Sequence, residues 1–130
     1  MKILIVDNEV STVTTLSALL LSQGTFQIDT AYGGEEGLNK MMANPDYDLV
    51  LLDIMMPKFS GMDVCQAMIK DWRLQKIPVL LMSSALPIPP EEFHKSLNTF
   101  SELSVVKGVL EKPFVIDDLL MQINRVAKKQ

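Results

Sequence analysis

Short runs of Ile, Val and Leu punctuate the chain: KILIV at 2–6, FQIDTA at 26–31, DLVLL at 48–52, PVLLM at 78–82 and VVKGVLE at 105–111. Three of them are nearly continuous in apolar residues, the composition of strands covered on both faces. Between the runs lie longer segments whose apolar positions recur at helical spacing. Leu16, Leu19 and Leu20 mark a helix over 11–24, with Gly24 where a C-terminal cap belongs. A second helix is predicted over 33–44, broken by Asn44-Pro45, and a third over 60–72. The fourth, over 89–103, opens on proline with glutamates in its first turn; the fifth, over 116–129, has acids first and lysines last, as the helix dipole favours. The pattern therefore predicts five strands and five helices in strict alternation.

Such alternation implies right-handed crossovers and a parallel sheet with helices on both faces. Ligands of open sheets of this kind bind outside the carboxyl ends of the strands. Each of four strand ends carries something polar: the first ends in Asp7-Asn8, the third in Asp53 and the fourth in Ser83-Ser84, and the fifth leads into Lys112, followed by Pro113 and Phe114. Taken singly, each has a plain structural explanation. Asp7 or Asn8 could cap a helix, Ser83 could be a turn hydroxyl, and a lone lysine is usually a solvated surface group. Their convergence on one cleft is what points to chemistry. Two carboxylates with amide and carbonyl oxygens suit Mg²⁺ or Mn²⁺, and Mg²⁺ commonly uses only one or two carboxylates while keeping its waters. An aspartate beside such a cation can act as a nucleophile toward a phosphoryl group, with a lysine and a hydroxyl to hold the phosphoryl oxygens.

The chain has 130 residues and a mass of 14.5 kDa, the size of one compact domain. A single domain over 1–130 is expected, without an effector domain in this chain, since the sequence runs out in KKQ at the end of the last helix. A net charge of −4 argues against a broad nucleic-acid surface. No apolar run approaches membrane-spanning length and none resembles a signal peptide; one cysteine, Cys65, allows no internal disulfide and no zinc cluster. A reducing, cytoplasmic setting is expected. The segment DNEVST after the first strand lacks glycine, which argues against a mononucleotide or flavin loop. Cys65, most of the nine methionines and Trp72 are read as packing residues, and His94, the only histidine, as a surface residue.

The blocks ILIVDNE, LVLLDIMMPKFSGMDV, PVLLMSSA and VLEKPF, in that order, resemble the receiver domain of two-component response regulators, and the resemblance covers essentially the whole chain. It implies a flavodoxin-like fold with strand order 2-1-3-4-5. It also implies that Asp53 accepts a phosphoryl group from a sensor histidine kinase or histidine phosphotransfer protein, and that the modified domain changes its binding to a downstream protein target. Under the same resemblance, Asp7 orients the metal through water, Asn8 occupies a direct ligand position and Met55 offers its backbone carbonyl. Ser83 bonds a phosphoryl oxygen, Lys112 pairs with the phosphate, and Pro113 matches the family's cis-proline. Self-catalysed phosphorylation and dephosphorylation at Asp53 is the only chemistry expected, not turnover of an external substrate.

Three departures from the family pattern stand out. Asn8 replaces a usual second acid, supplying an oxygen without charge, so metal should bind more weakly. Val109, three residues before Lys112, stands where many members have an aromatic that rotates inward. The stretch between Ser84 and Val109 is longer than the family norm and crowded at its start by Pro87, Pro89 and Pro90. Two readings follow: a phosphorylation switch whose output lies on the fourth helix, fifth strand and fifth helix, with a phosphorylation-dependent homodimer open; or a degenerate receiver acting as a phosphate-independent interaction module.

Overall fold

The computed structural model describes residues 1–84 and 103–127. Its strands are β1 (Lys2–Val6), β2 (Gln27–Ala31), β3 (Leu49–Asp53), β4 (Val79–Ser84) and β5 (Val106–Lys112). Its helices are α1 (Val10–Leu21), α2 (Gly34–Ala43), α3 (Gly61–Ile69) and α4 (Ile116–Val126), the last being the fifth of those expected from sequence. The helix expected over 89–103, with His94 and the prolines before it, falls almost wholly outside the described residues.

All five strands are parallel, in the order β2-β1-β3-β4-β5. Side chains alternate between faces along a strand, and here that alternation divides the core in two. Leu4, Val6, Val50, Leu52, Val79 and Leu81 face α2 and α3, where Met41, Val64, Cys65 and Met68 meet them. Ile3, Ile5, Leu49, Leu51, Leu80 and Met82 face the other way, against Val13, Leu16 and Leu20 of α1 and Leu119 and Ile123 of α4. The three inner strands are thus buried on both sides, which is why their sequences read as unbroken apolar runs.

Helix ends follow local chemistry. Helix α3 starts with a capping box in which the Ser60 hydroxyl accepts from the Asp63 N–H at 3.3 Å while the Asp63 carboxylate accepts from the Ser60 N–H at 2.9 Å. Past α1, Gly24 has φ +78°, the left-handed conformation that glycine adopts without a Cβ penalty. Acids stand in the first turns of α2 and α4.

Strand β3 closes on Asp53, the acid expected at its end. One expectation needs correction. Helix α3 ends at Ile69 instead of extending to residue 72, and Trp72 is 72% exposed in the turn that follows. Trp72 is therefore not a packing residue: the helix stops before its ring could rotate onto the sheet.

Candidate functional site

Alternation continues past the apolar runs and assembles the site. Asp7 follows Val6, Asp53 follows Leu52, and Lys112 lies two residues after Leu110, so all three fall on the α1/α4 side of the sheet at its carboxyl edge. The Lys112 Nζ donates to Asp7 Oδ2 at 2.7 Å and stands 3.6 Å from Asp53 Oδ1. Asp7 is wholly buried and Asp53 and Ser83 are each 4% exposed. Two carboxylates and an ammonium thus share one largely desolvated pocket.

Backbone groups fix the two acids. The Glu9 N–H donates to Asp7 Oδ1 at 3.0 Å, which locks that carboxylate at the turn into α1. Asp53 pairs with Met82 in the ladder, and the Ile54 N–H donates to the Met82 carbonyl at 3.0 Å, carrying the strand geometry one residue beyond the acid. The loop then returns to α3 at Gly61, whose N–H donates to the Ile54 carbonyl at 3.2 Å. A Cβ at Gly61 would lie 2.7 Å from the Asp53 carbonyl oxygen and 3.0 Å from Ile54 Cα, so only glycine lets the start of α3 approach the acid this closely. Ser83 follows Met82, the register partner of Asp53, and itself pairs with Glu111, next to Lys112. The Lys112-Pro113 peptide is cis, as the resemblance implied.

Burial is the main cause that pushes the Asp53 carboxyl up to about 6; the Asp7 charge adds to it, while the Lys112 ammonium and the Met55 N–H oppose it. Asp53 Oδ1 accepts no hydrogen bond, an unsatisfied buried acceptor in the middle of the site. That oxygen, with the Asp7 carboxylate, is the donor chemistry a hard divalent cation takes. Among the described residues no group of three or more His, Cys, Asp or Glu is gathered for a metal. The donor set fits a cation that keeps much of its water, and does not fit one that demands an all-protein cage.

The structure therefore brings Asp7, Asp53, Ser83 and Lys112 to one end of the sheet. Asn8 is exposed and borders a cleft of about 260 Å³ shared with Tyr32, Lys58 and Phe59. The Met55 side chain is 51% exposed, and Val109 is 37% exposed on β5. Two features were not foreseen from sequence. The first is the Asp7–Lys112 pair, which joins residues 105 positions apart. The second is a groove of about 530 Å³ beside Lys112, formed by Thr12, Thr15 and Leu19 of α1 with Pro113 and Phe114. Hydroxyls three residues apart on α1 were the only available signal, and they read equally well as a solvated helix face.

Comparison with known proteins agrees with this architecture. Residues 3–124 match the response regulator receiver domain family. The response regulator ArlR of Staphylococcus aureus is 29% identical over 133 aligned positions, covering 99% of this chain and 53% of ArlR. The chain thus spans about half the length of the curated relatives it matches. Among solved structures, the N-terminal domain of a response regulator receiver protein from Methanoculleus marisnigri is 32% identical with a TM-score of 0.70, covering 99% of this chain and 98% of that one. Chemotaxis protein CheY4 of Vibrio cholerae is 26% identical with a TM-score of 0.77, covering 96% and 97%. No helix among the described residues is long and apolar enough to cross a membrane. With its sheet order, its carboxyl-edge acids and this match along nearly its whole length, the chain belongs to the response regulator receiver domain family.

Proposed function

We propose that the chain is a phosphorylation switch in a two-component phosphorelay and that Asp53 is its phosphoacceptor. The observation that carries this reading is the buried Asp53 Oδ1, which has no hydrogen-bond donor and stands 3.6 Å from the Lys112 ammonium. A carboxylate oxygen left unpaired is available as a nucleophile, and the nearby ammonium favours its ionised form.

In the transfer, an Asp53 oxygen attacks the phosphorus of a phosphohistidine on a histidine kinase or phosphotransfer protein. A P–O bond forms, the P–N bond breaks, and its electron pair leaves with the imidazole, which recovers a proton. Hydrolysis reverses the state when water attacks the aspartyl phosphate and releases inorganic phosphate. Asp7, Asn8, Asp53 and the Met55 carbonyl would hold Mg²⁺ or Mn²⁺, which neutralises developing charge on the phosphoryl oxygens. Asp7 keeps Lys112 at the mouth of the site by the 2.7 Å pair. Lys112 then supplies the charge that binds the new phosphoryl group, and Ser83 is the hydroxyl for one of its oxygens. The downstream protein target reads the result as a shift between two conformations. With Val109 in place of an aromatic, that shift proceeds through backbone movement beyond Ser83 or through another side chain. A cytoplasmic setting follows from this partnership.

Asn8 supports a second reading, a phosphate-independent interaction module, because it supplies an oxygen without charge at the position following Asp7, where the family usually has a further acid. Intact-mass analysis after incubation with acetyl phosphate, with and without Mg²⁺, decides between the two. The switch predicts a single magnesium-dependent phosphoryl adduct that is absent from Asp53→Asn. No adduct at high magnesium, and none from a histidine kinase, would leave the interaction module.

A further inference from the structure

We propose that the turn between α3 and β4 is a docking site for an acidic protein segment, open whatever the state of Asp53. Residues 70–76, KDWRLQK, hold three of the chain's twelve Lys and Arg against one acid, a net +2 within a chain of net −4. Trp72 stands at the centre, more exposed at 72% than any other large apolar side chain among the described residues. The Lys76 ammonium lies 5.9 Å from its ring centroid, and Lys70 and Lys76 are both exposed. An exposed aromatic ring with a cation near its face, in a segment rich in basic residues, is the composition of an interaction anchor, not of a solvated turn.

The turn is also rigid. Leu74 and Ile77 are buried at 1% and 0% and pin it to the core. The Leu74 and Gln75 N–H groups both donate to the Asp71 carbonyl at 3.0 Å, and the Gln75 amide donates to the Ile69 carbonyl at 2.6 Å. A backbone already fixed loses little freedom when a partner binds.

Charge decides the class of partner. The Arg73 guanidinium is matched by the Asp71 carboxylate at 3.1 Å, which leaves the Lys76 ammonium near the ring and the exposed Lys70 two residues before it in the chain. That set fits a short peptide segment bearing an apolar side chain between carboxylates. Nucleic acids and anionic membranes are held by larger arrays, on the order of six phosphate contacts or 4–8 basic residues. Helix α3 returns the chain from the carboxyl edge of the sheet, where Asp53 lies, to the amino edge where β4 begins. A partner bound at Trp72 therefore leaves the phosphoacceptor pocket uncovered.

Trp72 is the only tryptophan, so its emission reports on this surface alone. The full chain is titrated with a glutamate-rich peptide carrying a central leucine, with its glutamine-substituted counterpart, with phosphatidylglycerol vesicles and with single-stranded DNA. The expected result is a saturable emission shift with the acidic peptide only, weakened by salt. It should be at least tenfold weaker in the double variant Lys70→Glu with Lys76→Glu, and equal in the wild type and in Asp53→Asn. Thermal midpoints check that the variants fold, and Lys70→Gln with Lys76→Gln replaces the reversal if it does not. A response to vesicles or DNA in place of the peptide overturns the partner class. No response to any probe, an unchanged response in the charge variants, or a response that requires acetyl phosphate with Mg²⁺ overturns the docking site.

Discussion

At the scale of single residues, Asp53 sets function against stability. Its carboxyl titrates near 6 in the folded protein against an ordinary 3.8, so the native state holds that proton more tightly than the unfolded chain does. The resulting stabilisation is fully present below about pH 4 and is lost as pH rises through about 6. Above that pH the buried charge is a standing penalty. Asp53→Asn should therefore be more stable than the wild type at pH 7 in chelator, by about 1–2 kcal/mol once solvent screening is allowed for. The gap should narrow as pH falls to 4, and denaturant titrations at several pH values read it directly. Equal stability across that range would show that Lys112 and the Met55 N–H fully compensate the charge. Asn8→Asp tests the other unusual residue: a second acid next to Asp7 should tighten Mg²⁺ binding by about tenfold. Calorimetric titration without a phosphodonor measures this, and an unchanged affinity would place Asn8 outside the metal's reach.

At the scale of elements, the sequence was most legible where packing enforces a period. The unbroken apolar runs of β1, β3 and β4 are what two covered faces require, and the same alternation, extended by one residue, aims Asp7 and Asp53 to one side of the sheet. The end of β3 at Asp53 was legible in its apolar run, and the Ile54 ladder bond holds the acid there. The limits of other elements were less legible. Where α3 would stop was not written in its apolar spacing, so the exposure of Trp72 went unseen. The Asp7–Lys112 contact depends on the β4/β5 register, which slips between Val79 and Leu80 so that Val106 and Gly108 face them in turn. No local pattern encodes such a slip. The loop from Asp53 to α3 offers a sharp test. Gly61→Ala would drive a Cβ into backbone atoms of Asp53 and Ile54, and should destabilise the fold by about 1–3 kcal/mol while slowing phosphoryl uptake. Ser60→Ala removes only the capping hydroxyl and should cost about 1 kcal/mol with uptake preserved. If both variants lose stability and uptake in equal proportion, the close approach at Gly61 has no specific bearing on the acid.

Across the whole molecule, the two ends of the sheet carry different surfaces. The carboxyl edge holds the acids and Lys112, and the amino edge carries the cationic turn around Trp72, so a change of charge at Asp53 and a contact at Trp72 are separable events. The β5 side of the sheet differs again. Strand β5 is an edge strand showing Lys107, Val109 and Glu111 to solvent in alternation, and α4 adds exposed Asp117, Asp118, Met121 and Arg125. Charges of both signs around a few apolar side chains are what a self-complementary, two-fold contact needs, because each cation can meet an acid of the second copy. They also discourage indiscriminate strand pairing at this edge of the sheet. The proposed phosphorylation at Asp53 would add negative charge beside Lys112, the residue that ends β5, and so would act directly on the strand that forms this contact. The expected outcome is a monomer without modification and a shift toward dimer with a phosphoryl mimic such as beryllium fluoride, read by sedimentation velocity at several concentrations. Met121→Glu, on the exposed face of α4, should abolish the shift without affecting phosphoryl uptake. A monomer under both conditions would remove self-association from the output of this domain and leave its target as the sole reader of Asp53.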